Sequence, residues 1–207
     1  MTNSINLICL GLALLALHYW RELQICRGRE AELRQRLKSS PGPSGTTLPG
    51  QLNSHFLFNA LNTIRYFIRT NSTTAREMLL DLSLVLQAAL RRENSVSLRD
   101  ELEGGRAYLR LERARLGTRL EILDQIGELD LDLLVPAQVL PQLLQALVNG
   151  VAARSSGGTI RLEYRDRTLR LEGDGEAEVP GSLGEALGGR LRVTSGVTTT
   201  MEWRVSE

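Results

Sequence analysis

The chain has 207 residues and carries 25 Lys plus Arg against 24 Asp plus Glu, a formal net charge of +1. This length fits one or two small domains, and the balanced charge gives no reason to expect nucleic acid or a strongly acidic substrate as a partner. The only cysteines, Cys9 and Cys26, are too few for a disulfide framework or a cysteine metal site.

Residues 1–20 contain no charged side chain, and the run from Ile5 to Trp20 is almost continuously apolar. It ends in His18-Tyr19-Trp20, aromatic side chains typical of a membrane interface. With the uncharged residues before it, a helix here would span about 30 Å, the thickness of the hydrocarbon layer. No basic residue precedes the run and no small-x-small cleavage site follows it. We therefore predict an uncleaved single-pass anchor rather than a signal peptide.

Basic residues dominate the segment after the apolar run, residues 21–38. By the positive-inside rule, this excess places the carboxyl-terminal part in the cytoplasm and the chain in the inner (plasma) membrane. Residues 39–50 are rich in proline and glycine, so they predict a linker that ends the charged stalk.

The segment 51–62 places four polar residues on one face of a helix: Gln51, His55, Asn59 and Asn62. Asparagine is unfavourable inside helices, so a role other than helix formation is indicated. A histidine flanked by amides is a candidate nucleophile, with Gln51 and Asn59 as its neighbours. The alternative is an ordinary structural histidine. An apolar stripe on the opposite face is predicted to pack: Leu57, Leu61, Ile64 and Ile68.

A second helix should begin after Asn71 and Ser72, with Thr74 and Glu77 as a capping box. It carries its own apolar stripe: Met78, Leu82, Val85, Leu86, Ala89 and Leu90. One helical hairpin buries too little apolar surface to be stable by itself. We therefore predict a homodimer in which two hairpins form a four-helix bundle.

Ser97 with Asp100 should open a third helix, in which Gly104-Gly105 marks either a kink or a close packing point. Beyond it, alternating patterns predict strands at 119–126, 159–165, 168–172, 190–194 and 200–205, with one long helix at 137–153. The fold class predicted is α+β, with an antiparallel sheet and helices on one face.

The twelve residues from Gln51 to Asn62 resemble the phospho-acceptor segment of LytS-type sensor histidine kinases, Gln-x-x-Pro-His-Phe-Leu-Phe-Asn-x-Leu-Asn, with Ser54 in place of the proline. Residues 108–126 are also similar to the family's segment before its ATP-binding domain. The resemblance implies membrane two-component signalling, a Bergerat-type ATP-binding domain with Mg-ATP, and a cytoplasmic response regulator as partner. It divides the chain into an anchor at 1–20, a stalk and linker at 21–50, a dimerisation and phospho-acceptor region at 51–116, and an ATPase-like domain at 117–207.

The resemblance also implies a degenerate nucleotide site. The family's segment Gln-Pro-Leu-Val-Glu-Asn-Ala, whose asparagine holds the magnesium, corresponds here to residues 145–151, Gln-Ala-Leu-Val-Asn-Gly-Val. Gly150 stands at the position of the metal-holding asparagine. Asn149 stands at that of the glutamate base, so to serve as the magnesium ligand it would need a turn of about 100° around the helix.

The family's adenine-binding Asp-x-Gly-x-Gly corresponds to residues 173–177, where Asp174 and Gly175 are displaced by one position. Its phosphate turn is reduced to the region of Gly184. In a strand, a shift of one residue directs a side chain to the other face. We therefore expect weak or no ATP affinity. The alternative for Asn149, Asp174 and Gly184 is an ordinary helix-end residue, a turn aspartate and a turn glycine.

Three functions follow from these residues and the resemblance. In a sensor kinase, His55 would take a phosphoryl group from Mg-ATP and pass it to a response-regulator aspartate. In an ATP-independent phosphotransfer protein or pseudokinase, His55 would take the group from another protein. In an adaptor, the chain would bind and regulate an intact partner kinase without itself being phosphorylated. Nucleotide binding separates the first from the other two.

Overall fold

The structure is a computed structural model, and it describes residues 54–127, 131–187 and 189–205. The predicted anchor, stalk and linker lie outside these ranges, as does Gln51. Among the described residues, no helix is both long and apolar enough to cross a membrane. The described residues belong to one compact unit, Thr47–Glu207.

Two helices, α1 (Ser54–Thr70) and α2 (Ser72–Leu90), form the predicted hairpin. The cap of α2 is Asn71, whose Oδ1 accepts a hydrogen bond from the backbone N–H of Thr74 at 3.1 Å. The prediction that Thr74 caps this helix was wrong. An asparagine in extended backbone geometry immediately before Ser72 supplies the cap three residues earlier than the Thr74–Glu77 pattern would.

The buried side of α1 differs from the predicted stripe. Phe56, Ala60 and Ile64 are buried, whereas Leu61 is 48% exposed and Ile68 is 59% exposed. The predicted stripe corresponds to packing against α2 alone, but α1 also contacts a third helix, α3 (Leu98–Leu116). The Phe56 ring lies 5.0 Å from the Tyr108 ring of α3, centroid to centroid. This second contact determines which face of α1 is buried.

Helix α3 lies between the hairpin and α4 (Val139–Ala153). Its predicted cap is confirmed, because Ser97 Oγ accepts from the backbone N–H of Asp100 at 3.1 Å. The glycine pair is a close packing point. A Cβ on Gly104 would lie 3.1 Å from Ala88 Cβ, and one on Gly105 would lie 2.9 Å from Leu144 Cδ1. The two glycines thus allow α3 to approach α2 on one side and α4 on the other.

The main sheet has five strands, close to the predicted ranges: β2 (Leu120–Asp124), β4 (Gly158–Arg165), β5 (Thr168–Asp174), β6 (Leu191–Thr194) and β7 (Thr198–Arg204). Their order across the sheet is β2-β4-β5-β7-β6. The prediction of a wholly antiparallel sheet was wrong, because β2 pairs with β4 in parallel. The chain between them contains α4, and a helical crossover of this kind is what joins parallel strands.

A second, two-stranded sheet was not predicted. β1 (Ser95–Ser97) pairs antiparallel with β3 (Leu134–Pro136), with Val96 opposite Val135. Each strand has three residues, too few to show an alternating pattern. The pairing brings the start of α3 next to the start of α4. The short α5 (Gly181–Ala186) and a one-turn 3-10 helix (Gly117–Arg119) are the remaining elements of the described residues.

The two faces of the main sheet differ in character. One face is buried against α4, and a Cβ on Gly173 of β5 would lie 3.0 Å from Leu147 Cδ2. The other face carries a row of alternating charges across four strands: Glu163, Arg170, Glu202 and Arg192. Neighbours of opposite charge are favourable across strands and keep this face solvated. A helix on one face of the sheet agrees with the sequence analysis.

A buried carboxylate joins α3 to α4. Glu101, 4% exposed, accepts hydrogen bonds from the backbone N–H of Gln138 at 2.7 Å and of Leu140 at 3.1 Å. Gln138 has a left-handed backbone with φ of 66°, so α4 begins at Val139 and not at residue 137 as predicted. Burial raises the pKa of the Glu101 carboxyl above its ordinary value, although the two backbone hydrogen bonds oppose the shift.

Candidate functional site

The candidate nucleophile His55 lies in the first turn of α1 and is exposed. Asn59, one turn later, places its Nδ2 atom 3.3 Å from Nδ1 and 3.3 Å from Nε2 of the imidazole ring. A neutral imidazole has one nitrogen that accepts a hydrogen bond and one that donates. Rotation about χ2 exchanges the oxygen and nitrogen of the Asn59 amide, so its oxygen can accept from the ring nitrogen that carries the proton and orient the ring, with the unprotonated nitrogen as the nucleophile.

Packing on the opposite side of α1 fixes the position of His55. Its neighbour Phe56 is 6% exposed and contacts Tyr108. Burial, followed by the nearby Glu112 charge, raises the pKa of the Tyr108 phenol, so the ring remains a neutral packing surface. Glu112 is itself buried and accepts a hydrogen bond from Arg115 Nε at 2.8 Å. The histidine is thus presented to solvent from a helix held by α3.

The polar face predicted for α1 continues beyond Asn59. Asn62 is partly buried, and Tyr66, which lies one helical turn further on the same side, is 62% exposed. Tyr66 was not singled out in the sequence because an aromatic residue in a helix is usually part of the core. Its place on the face of His55 could be inferred only from the spacing of eleven residues.

At the carboxyl end of α4, the structure brings together two of the residues predicted to bind the cofactor. Asn149 and Gly175 line one open cleft, together with Gly150, Arg154, Glu176 and Glu178 among others. Asn149 is exposed and Gly150 is buried. Gly175 has φ of 103°, which an L side chain rarely adopts.

The other two residues lie elsewhere. Asp174 Oδ2 accepts a hydrogen bond from the backbone N–H of Thr159 at 2.9 Å, which joins β5 to β4. Gly184 lies within α5, and a Cβ there would meet no atom within 4 Å. Neither residue is among those that line the cleft. The four candidates therefore do not converge on one site.

A threonine that the sequence did not indicate organises the loop beside the cleft. Thr199 is fully buried; its Oγ1 donates to the Gly175 carbonyl at 2.8 Å and accepts from the Ala177 N–H at 3.0 Å. A threonine in an alternating strand is ordinary, so no sequence signal existed. Within the part of the chain that the structure describes, no group of three or more His, Cys, Asp or Glu could hold a metal ion.

Comparison with known proteins supports the class that this histidine-bearing hairpin suggests. Residues 46–120 match the family model described as histidine kinase. The "Sensor histidine kinase/phosphatase LytS" of Staphylococcus aureus (strain NCTC 8325 / PS 47) is 41% identical over 104 residues, which cover 49% of this chain and 17% of the relative. The same identity and coverage hold for the protein of strain COL.

Two solved structures are similar at lower levels. A "Bacterial Phosphotransferase" covers 75% of this chain, with 98% of its own chain covered, 11% identity and a TM-score of 0.43. The Acinetobacter baumannii histidine kinase AdeS covers 74%, with 98% of its own chain covered, 14% identity and a TM-score of 0.36. Both TM-scores are too low to establish a shared fold.

The described residues form an α+β protein in which a helical hairpin presents an exposed histidine ahead of a mixed sheet. Residues 46–120, which contain His55, match the histidine kinase family model, and the chain is similar to LytS. It spans 17% of the length of the LytS relatives that it matches.

Proposed function

We propose that His55 is the phosphoryl acceptor of a two-component phosphorelay and passes the group to an aspartate of a cytoplasmic response regulator. The observation that carries the proposal is the exposed imidazole within the family segment, with the Asn59 amide 3.3 Å from its ring nitrogens. The test is an acid-labile, base-stable phosphoryl label on His55, with a phosphorylated receiver domain as the donor.

The chemistry requires only a neutral, oriented imidazole. The unprotonated ring nitrogen attacks phosphorus in line, an N–P bond forms, and the bond from phosphorus to the leaving oxygen breaks. In transfer to the regulator, the aspartate oxygen attacks and the N–P bond breaks. Such steps depend chiefly on positioning and on neutralisation of the phosphoryl charge. Asn59 supplies orientation, and the receiver would bring its own magnesium.

Two sources of the phosphoryl group are consistent with the match of residues 46–120 to the histidine kinase family model. An autokinase would use Mg-ATP bound by residues 117–207, which we propose to be a degenerate domain of the Bergerat type. The residues present do not fit that cofactor: Gly150 has no side chain to hold a metal, and Asp174 and Gly184 do not line the cleft at Asn149. The ATP-independent function is therefore favoured, with an adaptor that regulates an intact partner kinase as the alternative.

We expect the chain to be a homodimer through the hairpin, because α1 and α2 expose large apolar side chains: Leu61, Ile68, Leu79, Leu80 and Leu90. A second copy would cover them in a four-helix bundle. Sedimentation should show a dimer at micromolar concentration. Leu61 and Ile68 are seven residues apart and lie on one face of α1. The double variant Leu61→Gln, Ile68→Gln should weaken dimerisation at least about tenfold, the equivalent of 1.4 kcal/mol.

The control is Leu134→Gln, which removes an exposed leucine outside the hairpin; this leucine is 67% exposed, more than either Leu61 or Ile68. Its dimer should be as stable as that of the unchanged chain. A wild-type protein that sediments as a monomer at micromolar concentration would contradict dimerisation through the hairpin. An equal loss of dimer in the Leu134 variant would place the interface elsewhere.

We also propose that residues 1–20 anchor the chain in the inner membrane as a single span, with the carboxyl terminus in the cytoplasm, on the charge asymmetry of the sequence. A green fluorescent reporter fused after Glu207 should fluoresce, and an alkaline phosphatase fused there should be inactive. The reverse pattern of reporter activity would show that the carboxyl terminus lies outside.

A further inference from the structure

The carboxyl-terminal part of α4 is in backbone contact with the loop that follows β5. A Cβ built on Gly150 would lie 2.7 Å from the backbone oxygen of Glu176 and 3.2 Å from its carbonyl carbon. Real Cβ atoms essentially never approach another atom so closely. Because the obstructing atoms belong to backbone, no side chain can rotate away to make room.

The contact is reciprocal. A Cβ on Gly175 would lie 2.7 Å from the backbone oxygen of Gly150. The loop is fixed from its other side by the two Thr199 hydrogen bonds and by the Gly175 N–H, which donates to the Val197 carbonyl at 2.9 Å. A glycine of the helix therefore packs against the loop backbone, and a glycine of the loop packs against the helix backbone. Because of its hydrogen bonds, the loop has little freedom to move away.

This contact occupies the place where Mg-ATP would require a side chain. By the resemblance of residues 145–151, Gly150 stands at the position of the metal-holding asparagine. Asp174, at the next element, is committed to the Thr159 N–H, and a Cβ on Gly158 would lie 2.6 Å from Asp174 Cβ. Gly150 and Asp174, at which the sequence differs from the family pattern, are thus also residues that make close packing contacts within the domain.

We propose that the α4–loop contact at Gly150 excludes a metal-holding side chain from the nucleotide site, so that the chain does not bind Mg-ATP and does not regain binding when asparagine is placed at position 150. The domain formed by the main sheet and α4 then has a structural role and no role in nucleotide binding. Resting on the proposed function of His55, this inference makes another phosphoprotein, and not ATP, the immediate source of its phosphoryl group.

Thermal unfolding of the full chain tests the contact. Helix propensity alone predicts that Gly150→Ala raises the melting temperature, because alanine is the better helix former. The contact predicts the opposite sign, a fall of about 4 °C or more, since overpacking outweighs propensity. The melting temperature of Gly150→Asn should fall further than that of Gly150→Ala. The control is Gly181→Ala, in α5, where a Cβ meets no atom within 4 Å and the melting temperature should not fall.

Calorimetry with Mg-ATP tests the site itself. Neither the wild-type chain nor Gly150→Asn should show saturable binding at submillimolar ATP. Micromolar binding by either protein would overturn the inference. If Gly150→Asn fails to fold, the inference is tested by the Mg-ATP titration of the wild-type chain and by the sign of the change in melting temperature of Gly150→Ala.

The two proposals fail separately. ATP binding combined with label on His55 would overturn the inference about Gly150 and leave the phosphoryl acceptor in place. No ATP binding and no label from any donor would leave the inference about Gly150 in place and remove the acceptor.

Discussion

His55→Gln is expected to abolish phosphoryl labelling of the chain. Three donors should label the wild-type protein: a phosphorylated receiver domain, an intact kinase of the family with ATP, and potassium phosphoramidate, a small donor that needs no protein recognition. In each case a ring nitrogen of His55 forms the N–P bond, and glutamine has no such nucleophile. The label should be lost in acid and stable in base, as expected for phosphohistidine.

The variant should keep its fold and its dimer. His55 is exposed at the first turn of α1, and surface substitutions of this kind change stability by about 0.5 kcal/mol or less. Circular dichroism and sedimentation should therefore match those of the unchanged chain. Loss of helix together with the label would show that the substitution acted through the fold.

Two further variants test whether the label depends on His55 itself and how far its neighbour Asn59 contributes. His18→Gln, at the other histidine of the chain, should retain the full label. Asn59→Ala should slow labelling about fivefold, the equivalent of about 1 kcal/mol for one orienting hydrogen bond, and should not abolish it. A wild-type chain that none of the three donors labels would favour the adaptor function.

Glu101→Ala is expected to lower the free energy of unfolding by about 2–3 kcal/mol, a fall in melting temperature of about 4–10 °C. The carboxylate accepts the backbone N–H groups of Gln138 and Leu140 at the start of α4. The Leu140 N–H is buried, so without the carboxylate it would have neither a protein partner nor water. Removal of a cap that α3 provides for α4 should also loosen the contact between these helices.

Glu101→Gln provides the matched comparison, because its carbonyl oxygen can still accept one of the two N–H groups. It should destabilise less than Glu101→Ala in chemical denaturation at neutral pH. Equal stability of the alanine variant and the wild-type chain would show that the N–H groups of Gln138 and Leu140 are satisfied in another way.

The pH dependence of Glu101 has a definite sign. Burial raises the pKa of its carboxyl above the ordinary 4.5, and the Asp100 charge adds to the shift, whereas the two backbone hydrogen bonds and Arg91 oppose it. An acid with a higher pKa in the folded state contributes stability that is fully present below pH 4.5 and is lost as pH rises through the folded-state pKa. The wild-type chain should therefore lose stability relative to Glu101→Gln as the pH rises from 4.5 through the raised pKa of the folded state.

Denaturation of both proteins across this range measures that difference, since the other titrating groups are common to the two. A difference in stability that does not change with pH would show that the backbone hydrogen bonds of Glu101 offset its desolvation. A change of opposite sign would show that they exceed it.

Local patterns in the sequence were sufficient to locate most elements. The strands at 158–165, 168–174 and 191–194 lie within two residues of their predicted ranges, because alternation of buried and exposed side chains is a property of each strand alone. The Ser97 cap was predicted for the same reason, since it involves residues three apart. The motif around His55 is likewise contained within one helix.

The tertiary structure decided what depends on residues far apart in the chain. The face of α1 that is buried follows from Tyr108, the parallel pairing of β2 from the α4 crossover, and the cap of α4 from Glu101. The sequence by itself determined that the chain carries a histidine in a segment resembling the phospho-acceptor segment of histidine kinases, and a glycine where that resemblance implies a metal-holding asparagine. Only the fold shows that Gly150 is held against the Glu176 backbone, because that contact joins a helix to a loop on another strand, and no local pattern of residues records such a distance.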